Sequence, residues 1–538
     1  MNQNTRELAD KNSEDVVSHE LFHQWFGDYV TCESWSNITV NESFANYGEQ
    51  LWKSYRYGKA LGDELAYNDL QVYLSVAQYN DPQLVRFYYD SREDVFDPIS
   101  YNKGGAILRY LNNLMGDAAF DKAMNLYLTK NALHSAEAHQ WRLAIEEATG
   151  QDWNWFFNEW YYHAGHPSLK VAYHYNDTVK KLTVTVSQTQ SDSDFVYRIP
   201  LKAAVIYGDD KSVVDWVLTK RKETFTYAYK NGQRPVIIPD YTHVLPGDIR
   251  DGKKMAQWLE QYKQSDDYTS KRLAVEAAGK LMSDSVSMII MDQALSDQIA
   301  SIKRLALTEL KTSQSERYRR KFSNYIAYMA SADSNKLVRA AAFNVLGEWK
   351  VTSAKESMVQ ALGYSSYMMA GAALDALNKI DKDTAYIMAR QLVDSDPKST
   401  LETNIWIIIG KKAADEDIAL YEKRAPYVFN SKKLSFSNSL SSYLKNVKSD
   451  DSYRRGVAIY AMLVNNENMK TFKSYIAGNL FQVGTDEKEN LKSENKDDAA
   501  RAQMRLNVLK VNLQKIVAAE KDADALKTYQ KKMKDIFE

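Results

Sequence analysis

Cysteine is almost absent: Cys32 stands alone in 538 residues, which excludes an intrachain disulfide, a cysteine-rich metal cluster and a dithiol redox pair. An excess of one charge is absent as well, since 69 Lys+Arg offset 70 Asp+Glu to a formal net charge of -1. No global field therefore attracts nucleic acid or an anionic membrane, and any partner must be recognised locally. No apolar run reaches the roughly 18 residues that span a bilayer, and Met1 to Asn12, largely polar, has no basic-then-apolar leader. The default compartment is the cytoplasm; the periplasm or the exterior applies if a signal belongs to an upstream segment. No Walker loop and no Gly-x-Gly-x-x-Gly occurs, so nucleotide chemistry has no support.

The length exceeds what one core supports, and roughly two to four domains are expected. Between Glu14 and Val30 the residues Val16, Val17, Phe22, Trp25, Phe26 and Tyr29 recur at helical spacing, with Glu14 and Asp15 at the positive end of the dipole, which predicts a first helix over that span. A second helix opens near Asn41, with Phe44, Tyr47, Leu51 and Tyr55 on one stripe, and helices continue to Trp160. At Gly165-His166-Pro167 the period drops to two: Leu169, Val171, Tyr173 and Tyr175 alternate with other residues, then Leu182, Val184 and Val186. Turn signals at Asn176-Asp177, Gly208-Asp209-Asp210 and Asn231-Gly232 make this region a small antiparallel β-sandwich.

Beyond residue 250 proline and glycine are rare, and a helical phrase recurs around Arg272, Arg304 and Arg339, spaced 32 and then 35 residues apart, with a weaker echo at Met369-Ala370-Gly371-Ala372. That period resembles stacked helix pairs of the HEAT or armadillo kind. The charge-dense stretch Thr485 to Asp498 lacks apolar periodicity and reads as a solvated loop. The expected organisation is multidomain and mainly α: a helical part over residues 1–167, the sandwich over 168–248 and a helical array over 249–538.

His19-Glu20-Leu21-Phe22-His23 matches His-Glu-x-x-His. Four residues advance a helix by about 400°, so both imidazoles leave one face and can share a metal, while Glu20, about 100° round from His19, can serve as a base without occupying a coordination position. A bare match of five residues also fits an amphipathic helix that happens to hold two histidines. Catalytic zinc usually takes three protein ligands, and Glu42, separated from His23 by the eighteen residues Gln24 to Asn41, is placed for one helix to end and another to return.

At these residues the sequence resembles the membrane alanyl aminopeptidase family of gluzincin metallopeptidases, peptidase family M1. The likeness extends over His23-Gln24-Trp25-Phe26-Gly27, Val30-Thr31 and Asn41-Glu42 followed by Phe44-Ala45, with Ser43 standing where relatives usually have glycine. It implies a thermolysin-like helical catalytic part, one Zn2+ per chain held by His19, His23 and Glu42, Glu20 as general base, and peptide substrates losing their N-terminal residues. It also implies that Tyr101, in Ile99-Ser100-Tyr101-Asn102-Lys103-Gly104, stabilises the oxyanion, and that Phe156-Phe157-Asn158-Glu159-Trp160 leads out of the catalytic part. The helical array should cover or border the cleft.

The family places strands before the zinc helix, one carrying Gly-x-Met-Glu-Asn for the substrate amine, and no Met-Glu-Asn occurs here. The expectation is therefore a weak aminopeptidase that exposes apolar surface and associates with an upstream segment or another chain. The alternative is a zinc-binding protein whose helical array serves as a scaffold. His163 and His166, His134 and His139, and Cys32 are expected to be structural or surface residues.

Overall fold

The computed structural model describes residues 13–191, 195–429 and 432–538. They divide into two compact units, one ending at Gln314 and one spanning Ser315–Glu538. No helix among the described residues is long and apolar enough to cross a membrane.

The first unit opens with α1 (Glu14–Phe22), α2 (Thr39–Tyr57) and α3 (Lys59–Ala77). A π-turn, Ile99–Lys103, runs into α4 (Gly104–Met115), followed by α5 (Asp117–Lys130), α6 (Ala138–Thr149) and α7 (Asn154–Trp160). Phe26, Phe44 and Tyr127 stack against one another and meet the edge of Trp141 from α6, which ties these helices into one core.

The first helix ends at Phe22 instead of Val30. Gly27 at φ 148° reverses the chain, with Asp28 N–H donating to His23 O and Gly27 N–H to Val30 O, a conformation that side chains disfavour. Of the apolar stripe, Phe26 is buried and Phe22 partly so, whereas Val16, Val17, Trp25 and Tyr29 stay exposed.

Two sheets follow. The first has strand order β7 (Lys222–Ala228), β4 (Lys181–Gln188), β3 (Ser168–Asn176), β9 (Asp248–Asp251); the second has β6 (Asp210–Leu218), β5 (Ile199–Tyr207), β8 (Val236–Ile238). All neighbours are antiparallel except β3 and β9, because β9 arrives after a long connection and pairs Ser168 with Asp248 in the same direction. Trp216 of one sheet stacks on Phe225 of the other at 4.3 Å, closing the sandwich. Tyr110 of α4 donates its hydroxyl to Pro200 O at 2.9 Å, so the sandwich and the helical core are continuous.

The helices α8 (Met255–Gln264), α9 (Tyr268–Lys280), α10 (Ser285–Leu295) and α11 (Ala300–Thr312) complete this unit. Two of the three recurring arginines are docking residues. Arg272 lies over the Tyr67 ring at 4.1 Å, and Arg304 bonds Glu64, both partners being on α3.

In the second unit, helices Lys336–Glu348, Tyr367–Ile380, Ser399–Lys412, Lys432–Asn446 and Lys470–Asn490 pack each on the next, with intervening helices such as Lys382–Leu392 forming a second layer. This is the expected solenoid of helix pairs. The stretch Thr485 to Asp498 is mostly helical instead of a loop, broken only around Lys492 to Asn495. The buried Glu487 carboxylate receives Arg505 Nη1 at 3.3 Å, and Asn495 caps the next helix, so charged residues support helices that an apolar pattern does not announce.

Candidate metal centre

The helices α1 and α2 cross closely at Gly48, where a Cβ would lie 2.3 Å from the Phe22 ring. That approach brings the two imidazoles of α1 over the first turn of α2, where Glu42 sits. His19 Nε2 lies 3.2 Å and His23 Nε2 3.4 Å from Glu42 Oε2, with the imidazole planes 84° apart. A four-coordinate metal with N and O ligands at about 2.0–2.1 Å sets its ligand atoms about 3.3 Å apart. The two separations fit the edges of such a tetrahedron, so the donor set suits a small divalent cation. Among the described residues, this is the one cluster of three such side chains whose ligand atoms converge.

The second ring nitrogens are also fixed. His23 Nδ1 donates to Phe26 O at 3.0 Å, because a carbonyl only accepts, and Nε2 is the nitrogen left to face Glu42. His19 Nδ1 meets Glu49 Oε1 at 2.8 Å. Sequence reasoning missed Glu49; the available signal is an acid two helical turns beyond Glu42 on the same face. In the metal-free chain burial alone would lower the His19 pKa, but bonds and charges from Glu42 and Glu49 raise it to about 9. Burial pushes Glu42 up, and the two imidazoles outweigh it, bringing the carboxyl down to about 2. Such a site attracts positive charge, whether as protons or as a metal.

Glu20 is exposed one position beyond His19, and its charge acts on Tyr101. The Tyr101 ring stacks on His19 at 5.7 Å and its hydroxyl bonds Glu42; burial, followed by the Glu42 charge, drives its pKa upward, so the phenol keeps its proton. Two braces hold the π-turn that carries it. Arg86 binds Asp97 at 2.6 and 2.9 Å and Ser100 Oγ at 2.6 Å. Lys103, 1% exposed, donates to Asp81 at 2.8 Å and Gly165 O at 3.0 Å, and His166 Nδ1 closes the group at 2.7 Å from Asp81. Ser43 Oγ donates to Ser100 O at 2.7 Å, which ties the ligand helix to this turn and gives the serine a structural use.

Asp69 joins the same parts: it accepts from Asn102 at 3.1 Å and from Gln50 at 3.0 Å. Burial, reinforced by the Glu49 charge, raises its pKa to about 7. Between its ordinary value near 4 and about 7 the folded chain holds a proton that the unfolded chain has lost, so stability present below that window is lost as pH rises through it. The expected slope approaches about 1.4 kcal/mol per pH unit. Thermal unfolding from pH 5 to 8 should show this loss in the parent chain and a flatter profile in Asp69→Asn.

The remaining candidates do not join the triad, although Cys32 lies near enough to feel the Glu42 charge. His134 and His139 are exposed, the first in a loop and the second on α6, and His163 packs against Phe195 at 4.8 Å. Cys32 Sγ accepts from Asn41 Nδ2 at 3.7 Å.

Residues 1–160 match the profile of the Peptidase family M1 domain. This part of the chain is similar to M1 peptidase domains. The M1 relatives include Tricorn protease-interacting factor F2 of Thermoplasma volcanium, 32% identical over 178 residues, and glutamyl aminopeptidase of Homo sapiens, 32% identical over 213 residues. These stretches cover 30% and 37% of this chain and 22% of each relative, so the chain spans only part of their length. Residues 325–405 match HEAT repeats, in agreement with the solenoid. A crystal structure of Legionella pneumophila aminopeptidase A in complex with aspartic acid has the same fold over 97% of this chain and 65% of its own, with a TM-score of 0.59 and 16% identity.

Proposed function

We propose that the chain is a zinc-dependent aminopeptidase-type metallopeptidase in which His19, His23 and Glu42 hold one Zn2+. The reading is carried by the convergence of two imidazole nitrogens on one carboxylate oxygen at 3.2 and 3.4 Å inside a domain of the M1 family. A His2Glu set is a common protein share of catalytic zinc. Bound there, the metal would supply Lewis acidity to a scissile carbonyl and acidify water. Glu20 would take the proton of water and return it to the leaving amine. Tyr101, protonated and facing the same centre, would donate to the negative charge growing on the carbonyl oxygen. Residues 1–167 would supply this chemistry, and the sandwich of 168–248 and the helices of 249–538 would form the further domains. Peptides small enough to enter are the proposed substrates.

A zinc-binding scaffold is not favoured, because Glu20 and Tyr101 accompany the ligands. The exposed Val16, Val17 and Leu21 of α1, with Trp25 just beyond it, support the reading that this surface pairs with a further segment, in cis or in trans. Assays with fluorogenic aminoacyl substrates test both points. Hydrolysis should stop on chelation, return with zinc, and rise when the upstream segment of an M1 relative is added. Chelator-insensitive turnover, or none with zinc and that segment together, would contradict the reading.

A further inference from the structure

We propose that the first unit carries a second ligand site, separate from the metal triad, for an aliphatic monocarboxylate. A cavity of about 610 Å3 opens between α3, the chain around β8 and β9, and α8 and α9, and none of His19, Glu20, His23, Glu42 and Tyr101 lines it. Its volume is that of a small-molecule site. Leu70, Leu74, Ile238, Val244, Trp258 and Leu273 make the wall largely apolar.

The acids around it are already engaged. Asp63 pairs with Arg109 and Lys59, and Asp240 accepts the N–H groups of Val244 and Leu245. Asp251 takes Lys253 and Tyr173, Glu276 takes Arg272 and Tyr67, and Asp248 takes Ser168 with Arg250 nearby. Lys170 of β3 and Lys280 at the end of α9 are different: both are exposed at the cavity and neither makes an ion pair among the described residues. Arg250 stands beside Lys170 across the β3–β9 register, which adds positive charge to that edge.

An apolar chamber with cations left over at its edge suits an alkyl chain ending in a carboxylate, the chain satisfying the wall and the carboxylate meeting the lysines. A peptide fits less well. It would bring amide N–H and C=O groups that need partners, while the wall's orphaned polar atoms, Gln50 Oε1, Arg109 Nε and Gln261 Oε1, are themselves closed to solvent.

Calorimetric titration of the full chain with octanoate, decanoate and dodecanoate, each below its micellar concentration, and with decanol, tests the proposal. One saturable site is expected, tightening roughly tenfold for each added pair of methylenes. Decanol should bind roughly tenfold more weakly than decanoate, as should decanoate to the Lys170→Glu, Lys280→Glu double variant, whose changes lie on the surface. Leu273→Trp should abolish binding by filling the chamber, and Ala66→Met gives the same test at a partly exposed position if the tryptophan disturbs folding. No saturable binding, no dependence on chain length, or undiminished binding to a folded cavity-filled variant would overturn the assignment.

Discussion

Glu20→Gln is expected to retain the metal and lose about 10²–10⁴-fold in turnover, the range in which a positioned acid–base group contributes. Metal retention follows from geometry: the ligand atoms that converge belong to His19, His23 and Glu42, the proposed ligands, and Glu20 leaves the helix about 100° away from His19. The amide is close to the carboxylate in shape but cannot take a proton from water, so the defect should fall on kcat, with KM little changed. A rate within a few-fold of the parent chain, with zinc still bound, would assign the base to another group. Loss of the metal in this variant would instead mean that Glu20 contributes to holding it.

Tyr101→Phe should lower kcat by roughly 10²–10³-fold, as when an oxyanion donor is removed. The ring itself is held by its stack on His19 and by the braced π-turn, neither of which needs the hydroxyl, so metal content and thermal unfolding should barely move. The phenol is an effective donor because burial and the Glu42 charge keep it protonated. Steady-state kinetics beside metal analysis separate this role from a packing role: unchanged turnover would leave Tyr101 as a packing aromatic.

The parts of this site that sequence reveals are those written in local spacing. The two histidines of α1 lie one helical turn apart, so helix periodicity sets them on one face, and Glu42 follows where a second helix begins, its approach resting on the crossing at Gly48. The alternation from Leu169 onward and the recurring helical phrases likewise reveal the sandwich and the solenoid. What stays hidden depends on partners distant in the chain. The Arg86 and Lys103 braces and the Asp69 cluster join elements whose pairing no periodicity encodes. The end of α1 depends on one backbone angle at Gly27, and the exposure of Val16 and Trp25 shows that an apolar stripe marks a face without saying what covers it. Between Thr485 and Asp498, helices rest on a buried ion pair and a cap, and so escape a search for apolar repeats.

The central claim is that His19, His23 and Glu42 together hold one zinc ion. The most direct measurement is elemental analysis of the folded chain after dialysis against a weak chelator, beside Glu42→Ala treated in the same way. About one zinc per parent chain is expected, with most of it lost in the variant and circular dichroism unchanged. A folded parent chain with zinc content near zero, or a variant that binds zinc as well as the parent, would contradict it.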